Sequence, residues 1–327
     1  MATSAQIKAL LNSVKDQDKE QFYTVALQIA FKEESKGNTK YAAELKKIIS
    51  SIREESPNQD KKVINFVEPT GDLKGLLEAE YPSKKLNDLI LNDQLKNRLN
   101  RIITEQNSIN KLKEHNLLPR SKILLAGLPG TGKTLTAKAI AGTLKLPIFT
   151  IQLDKLITKY MGETSTKLRL IFDYIRKHRG VYFFDEFDAI GSSRSLDNDV
   201  GEIRRVLNTL LQFIEQAPSE SLIIAATNHI NLLDKALFRR FDDILEYDLP
   251  EDSLIEKAFK INLHPLDISK INWEKICKEA KGLSFDDIVK ICSDINKQYV
   301  LYNASITTEL ILTITNEKKC NIDGKKI

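Results

Sequence analysis

The sequence predicts an α/β chain in which a parallel sheet is flanked by helical segments at both ends of the polypeptide. Three observations carry this reading. Between residues 86 and 249, short apolar runs rich in β-branched and aromatic residues alternate with segments of helical period. A glycine-rich loop follows the first such run directly and opens onto a helix. Chain breakers are scarce: 13 glycines and 9 prolines in 327 residues, little more than half the usual share. That scarcity excludes collagen-like, linker-rich and small all-β chains, and the length allows one large and one small domain.

Residues 1–56 are polar with apolar positions at helical spacing: Ile7, Leu10, Leu11 and Val14; then Phe22, Val25 and Ile29; then Ala42, Leu45, Ile48, Ile49 and Ile52. Breaks at Asp16-Gln17-Asp18 and Gly37-Asn38 divide them into three amphipathic helices, a small bundle. Such a bundle either docks a partner or packs its stripes on itself and the next domain. Residues 57–85 hold Pro57, Pro69, Gly71, Gly75 and Pro82 and read as a linker with short ordered pieces. The runs Ile123–Ala126, Ile148–Ile151, Val181–Phe184 and Leu222–Ala226 are continuous apolar strands, the pattern of a parallel sheet covered on both faces. Residues 250–327 show no strand pattern and read as a small helical domain.

The charge balance of 49 basic to 45 acidic residues leaves +4, which argues against a general electrostatic footprint for nucleic acid or anionic membrane. Cys277, Cys292 and Cys320 lack CxxC spacing and exclude a disulfide framework, as expected of a reducing compartment. The N-terminus lacks a signal-peptide pattern, and no apolar run approaches membrane-spanning length. A cytoplasmic location without membrane contact is expected.

Gly127-Leu128-Pro129-Gly130-Thr131-Gly132-Lys133-Thr134-Leu135 satisfies the pattern G-x-x-x-x-G-K-[ST] between a strand and a helix. Glycines let the backbone fold tightly around an anion, and the helix N-terminus adds partial positive charge. In that chemistry Lys133 reaches the β- and γ-phosphates of ATP, and the Thr134 hydroxyl ligates Mg²⁺. The strand Val181–Phe184 ends in Asp185-Glu186. Two carboxylates at the end of a buried strand need a counter-charge, which a metal beside the phosphate loop supplies. Asp185 is then the metal-side carboxylate, and Glu186 the base that polarises the attacking water. Asn228 ends another strand, where its amide either orients that water or starts the turn. Arg239-Arg240 precede a further strand and, by themselves, read more readily as solvated or salt-bridged residues than as catalytic ones.

As a set, these residues resemble the AAA clade of the AAA+ superfamily, the similarity running from about Leu86 to Val300. The resemblance implies an AAA+ P-loop parallel-sheet domain of five strands (86–249), a C-terminal helical lid (250–327), and assembly as a homo-oligomer, a ring usually of six. It matches Lys133 and Thr134 to Walker A, Asp185 and Glu186 to Walker B, and Asn228 to the sensor-1 residue. Arg239 and Arg240 match the arginine fingers that act on a neighbouring subunit's nucleotide. Lys159-Tyr160-Met161-Gly162 resembles the central-pore loop, whose aromatic and aliphatic side chains grip an extended polypeptide. Arg204 and Arg205 follow the place of a second pore loop. Gly282-Leu283-Ser284-Phe285-Asp286-Asp287-Ile288 resembles the lid segment that closes over adenine and ribose, with Phe285 where the family usually has a small residue. No arginine stands at the sensor-2 position, and Leu89-Ile90-Leu91 matches the adenine-contacting segment. The N-terminal helices and the overall order are also similar to bacterial AAA ATPases encoded beside a subtilisin-like serine peptidase and associated with plasmid exclusion or phage defence.

The expected function is therefore an ATP-hydrolysing ring motor that remodels or threads polypeptides. The sequence contains neither HExxH nor G-x-S-x-G, so proteolysis would belong to a separate peptidase. A nucleotide-gated regulator that does not thread is one alternative. A nucleic-acid motor is the other, disfavoured by the charge balance and the aromatic pore loop.

Overall fold

A computed structural model describes residues 4–15, 19–54, 69, 71–156, 161–190, 200–217, 220–230, 235–302 and 305–323. Three helices come first: α1 (Ser4–Lys15), α2 (Lys19–Ser35) and α3 (Thr39–Glu54). The central α2 packs against both others. Val25, Leu27, Ala30, Ala42 and Ile49 are buried, whereas Ile7, Leu11 and Val14 of α1 and Tyr41 and Ile48 of α3 stay exposed. The layer touches the rest of the chain where Phe31 stacks on Tyr81, ring centroids 5.5 Å apart. Lys46 sits over the Phe31 ring at 4.8 Å and pairs with Glu34 at 2.8 Å.

The central unit comprises β1 (Leu77–Glu80), α4 (Asp93–Asn107), α5 (Ile109–Glu114), β2 (Lys122–Gly127), α6 (Lys133–Leu144), β3 (Ile148–Ile151), α7 (Leu153–Leu156), α8 (Met161–Lys177), β4 (Val181–Phe184), α9 (Val200–Gln216), β5 (Leu222–Thr227), α10 (Lys235–Phe238) and β6 (Asp243–Tyr247). Its six-stranded sheet has the order β1-β3-β4-β5-β2-β6. All pairs are parallel except β1 with β3, which is antiparallel. One of the short ordered pieces expected within residues 57–85 is thus a strand, and the sheet has an antiparallel edge beyond the five strands that the resemblance implies.

Strand alternation divides the interior into two cores. Tyr182, Phe184, Ile223 and Ala225 face Leu168, Phe172, Leu210 and Ile214 of α8 and α9. Val181, Phe183, Leu222, Ile224 and Ala226 face Leu99, Ile102, Ala137 and Ile140 of α4 and α6. All of β4 and β5 is buried, which is why these strands read as continuous apolar runs. The chain closes with α11 (Asp252–Leu263), α12 (Trp273–Ala280), α13 (Phe285–Tyr302) and α14 (Thr308–Asp323). These pack around Ile255, Phe259, Ile276, Ile288, Ile291 and Ile311, as a helical lid should, and Ile90 of the central unit joins that core. Among the described residues no helix is long and apolar enough to cross a membrane, and all three cysteines are free.

Gly142 lies inside α6, where helix propensity alone makes alanine better by about 1 kcal/mol. Packing reverses that sign, because a Cβ there would stand 2.1 Å from the Lys84 carbonyl oxygen and 2.9 Å from that of Pro82. Gly142→Ala is expected to destabilise the fold by about 1–3 kcal/mol, read as a lower urea midpoint; an unchanged or raised midpoint contradicts this packing.

Candidate active site

The phosphate-loop pattern forms the turn between β2 and α6. Gly127 ends β2, Pro129 to Gly132 make the turn, and Lys133, Thr134 and Leu135 form the first turn of α6. Thr131 Oγ1 donates to the Leu128 carbonyl at 2.7 Å and locks the turn. Lys133 is only 6% exposed. Its ammonium donates to the carbonyls of Gly127 at 2.7 Å and Leu128 at 2.9 Å. Burial pulls the Lys133 pKa below the ordinary lysine value, and the charges of Asp185 and Asp188 oppose that shift.

Asp185 follows β4 and Asn228 follows β5. Because β4, β5 and β2 are adjacent and parallel, their C-terminal ends converge beside the loop, the position where open α/β sheets bind ligands. Thr134 Oγ1 donates to Asp185 Oδ2 at 2.9 Å. The other oxygen, Asp185 Oδ1, accepts the Glu186 backbone N–H at 2.9 Å. Glu186 has φ of 50°, in the left-handed region, a costly backbone for a residue other than glycine.

Asp188, not singled out from the sequence, joins this group. It is 9% exposed, and its Oδ1 accepts the Asn228 backbone N–H at 3.2 Å, tying the segment after β4 to the end of β5. The signal for it was slight: a third carboxylate in Asp185-Glu186-Phe187-Asp188.

Arg239 and Arg240 lie elsewhere. They precede β6, whose first residue Asp243 pairs with Ile123 at the start of β2, while Tyr247 pairs with Gly127 at the loop. Four residues of strand, about 13 Å, separate those levels. Arg239 is exposed, and Arg240 forms an ion pair with Glu215 of α9. The structure therefore does not bring either arginine to the phosphate loop of its own chain. Of the pore-loop residues, Lys159 and Tyr160 lie outside the described residues, while Met161 and Gly162 open α8.

The lid rests directly on the loop. The Asp286 N–H donates to the Gly130 carbonyl at 3.1 Å. Gly130 has φ of 77°, and a Cβ there would stand 2.5 Å from Ser284 Oγ. A larger side chain would both strain the turn and push the lid away.

The donor set fits a nucleotide with Mg²⁺. The loop offers a buried ammonium and a helix N-terminus to phosphates, and Thr134 with Asp185 supplies two adjacent oxygen donors. Mg²⁺ typically takes one or two carboxylates and completes its shell with phosphates and water, which the Thr134–Asp185 pair fits.

A P-loop nucleotide site carried on a parallel sheet with a helical lid is the class defined by this fold. The profile of the "ATPase family associated with various cellular activities (AAA)" matches residues 123–249. The uncharacterized AAA family ATPase y4kL of Sinorhizobium fredii is 35% identical over 305 residues, covering 92% of this chain and 90% of that protein. The ATP-dependent zinc metalloprotease FtsH of Helicobacter felis is 31% identical over 68% of this chain and 37% of its own length. The proteasome-activating nucleotidase of Methanoregula boonei is 35% identical over 60% of this chain and 47% of its own. The crystal structure of the FIGL-1 AAA domain superposes with a TM-score of 0.60 at 22% identity, over 74% of this chain and 85% of that one. The chain belongs to the AAA family of ATPases; it binds ATP and is an ATP-hydrolysing enzyme.

Lys133→Ala is expected to abolish ATP binding, because it removes the ammonium buried against the loop carbonyls; titration with a fluorescent ATP analogue checks this. Retained affinity within about threefold contradicts the phosphate-binding role.

Proposed function

We propose that this ATPase works as a homo-oligomeric ring, a hexamer, that remodels or threads polypeptides through a central pore. One observation carries the assembly: Lys133, Thr134, Asp185, Glu186 and Asn228 gather at one end of the sheet, while Arg239 and Arg240 stand at the other. A site whose arginines cannot be reached within one chain is completed by a neighbour's. The names of two relatives, an ATP-dependent protease and a proteasome-activating nucleotidase, couple nucleotide to protein breakdown and support polypeptide as the substrate.

In this reading Lys133 exchanges its two loop carbonyls for phosphate oxygens, a stronger charge-assisted contact. Thr134 and Asp185 would hold Mg²⁺, which would supply positive charge against the phosphates. Glu186, exposed just after β4, accepts the proton of the attacking water. Asn228 orients that water with a neutral amide, and Asp188 holds the Asn228 backbone in place. Arg239 of one subunit meets the developing charge in the next subunit's site, and Arg240 steadies the segment through Glu215. Tyr160 and Met161 grip the polypeptide by flat and aliphatic packing, which needs no particular sequence. The near-neutral charge supports polypeptide rather than nucleic acid in the pore. The site is cytoplasmic, and a separately encoded serine peptidase, in a defence or plasmid-exclusion setting, is the partner that the N-terminal helices serve.

Glu186→Gln is expected to bind ATP, lower hydrolysis by about 10²- to 10⁴-fold and accumulate as a ring measurable by light scattering. A monomer at saturating ATP sinks the assembly. Arg239→Ala should lower turnover by about 10³-fold or more, and mixing it with Lys133→Ala should restore part of the activity, because each supplies what the other lacks. Tyr160→Ala should stop processing of a captured polypeptide while ATP hydrolysis persists. Undiminished processing favours a nucleotide-gated regulator instead, and DNA-stimulated hydrolysis with steep salt dependence favours a nucleic-acid motor.

A further inference from the structure

Tyr247 ends β6 and meets the phosphate loop at both of the loop's ends. Its main chain pairs with Gly127, which closes β2 and opens the loop. The approach is so close that a Cβ on Gly127 would stand 2.2 Å from the Tyr247 carbonyl oxygen. The Tyr247 side chain enters the core that contains Ala137 and Ile140 of α6, and its hydroxyl lies beside Thr136 in the first turn of that helix.

That hydroxyl is buried without a partner. Tyr247 is 4% exposed, and its Oη completes no hydrogen bond among the described residues. Burial pushes its pKa well above the ordinary tyrosine value, and the neighbouring Thr136 opposes that shift only in part. A buried polar group left unpaired destabilises the state that holds it. Thr136 Oγ1 is the group placed to relieve it. It donates its one proton to the Gly132 carbonyl at 3.0 Å, and a hydroxyl oxygen that donates can still accept.

We propose that Tyr247 is a positioning residue of the phosphate loop, its hydroxyl donating to Thr136 Oγ1 once phosphates are seated. The inference rests on the ATP reading above. In that reading Lys133 leaves the Gly127 and Leu128 carbonyls for phosphate oxygens, which frees the end of β2 on one side of Tyr247. On the other side, phosphates attract the N–H groups at the start of α6 and carry the first turn with them. Tyr247 spans both movements. The free chain holds the hydroxyl unpaired and the nucleotide selects the arrangement that pairs it, so the energy of pairing appears as ATP affinity.

Tyr247→Phe removes the hydroxyl and keeps the ring, and two changes of opposite sign are expected on the full chain. Without nucleotide the urea midpoint should rise, because the unpaired group is gone. The dissociation constant for ATP with Mg²⁺ should also rise, by about three- to tenfold, the worth of one hydrogen bond. A side chain that only fills the core would leave that affinity unchanged. Thr136→Val removes the accepting oxygen and should weaken ATP as well; adding Tyr247→Phe to it should cost little more, since both variants lose the same bond. Unchanged ATP affinity in Tyr247→Phe overturns the proposal, as does full additivity in the double variant. A lowered midpoint without nucleotide, or a variant that fails to fold, overturns it too, because the hydroxyl would then be paired in the free chain already. Absence of ATP binding by the parent chain removes the ATP reading and this inference together, whereas parent binding with unchanged affinity in Tyr247→Phe removes this inference alone.

Discussion

Three adjacent parallel strands decide where polar chemistry can stand in this protein. Every residue of β4 and β5 is buried, and β2 between β5 and β6 is nearly so. An unpaired polar or charged group within them would cost several kcal/mol. Polar side chains are thus confined to strand ends, and parallel direction puts all the C-terminal ends on one side. Asp185, Asn228 and the loop that leads to Lys133 converge there for that reason. The same direction puts the approach to β6, with Arg239 and Arg240, at the opposite level of the sheet.

Within the site, charge is held ready rather than fully satisfied. The Lys133 ammonium is buried against two neutral carbonyls, with Asp185 and Asp188 lending distant support and burial working against the charge. An anion on the loop relieves this. Glu186 carries backbone strain, partly offset by the hydrogen bond from its N–H to Asp185, and strain of this kind concentrates at functional positions. The lid adds a mechanical link. The Gly130 carbonyl accepts from Asp286, so movement of the loop and movement of α13 are joined through one turn.

The strands of the central sheet, the lid helices and the phosphate loop were legible because each has a local cause: β-branched apolar runs, helical period, or fixed glycine spacing. β1 was not, because Leu77–Glu80 is four residues in a stretch punctuated by glycine and proline, and it becomes a strand only by pairing with β3. Gly142 looks like a weak point in a helix until the Lys84 carbonyl is seen against it. The stripe of Ile7, Leu11 and Val14 marks a helix correctly, yet α2 leaves these residues exposed, because apolar spacing says which residues share a face and not what covers it. Asp188 was hidden for a similar reason: its partner is a backbone N–H 40 residues away.

By itself, the sequence determined the chemistry of the loop, since eight consecutive residues carry the glycines, the ammonium and the hydroxyl at covalently fixed spacing. It also determined that carboxylates end one buried strand and an amide another. Only the tertiary structure decided that these three strand ends are neighbours, that the two arginines are not, and that the start of α13 rests on the loop. Spacing along the chain is set by bonds within each segment. Which strands lie side by side, and which lid residue meets the loop, is set by burial and pairing between segments distant in sequence, and those contacts exist only once the whole core has closed.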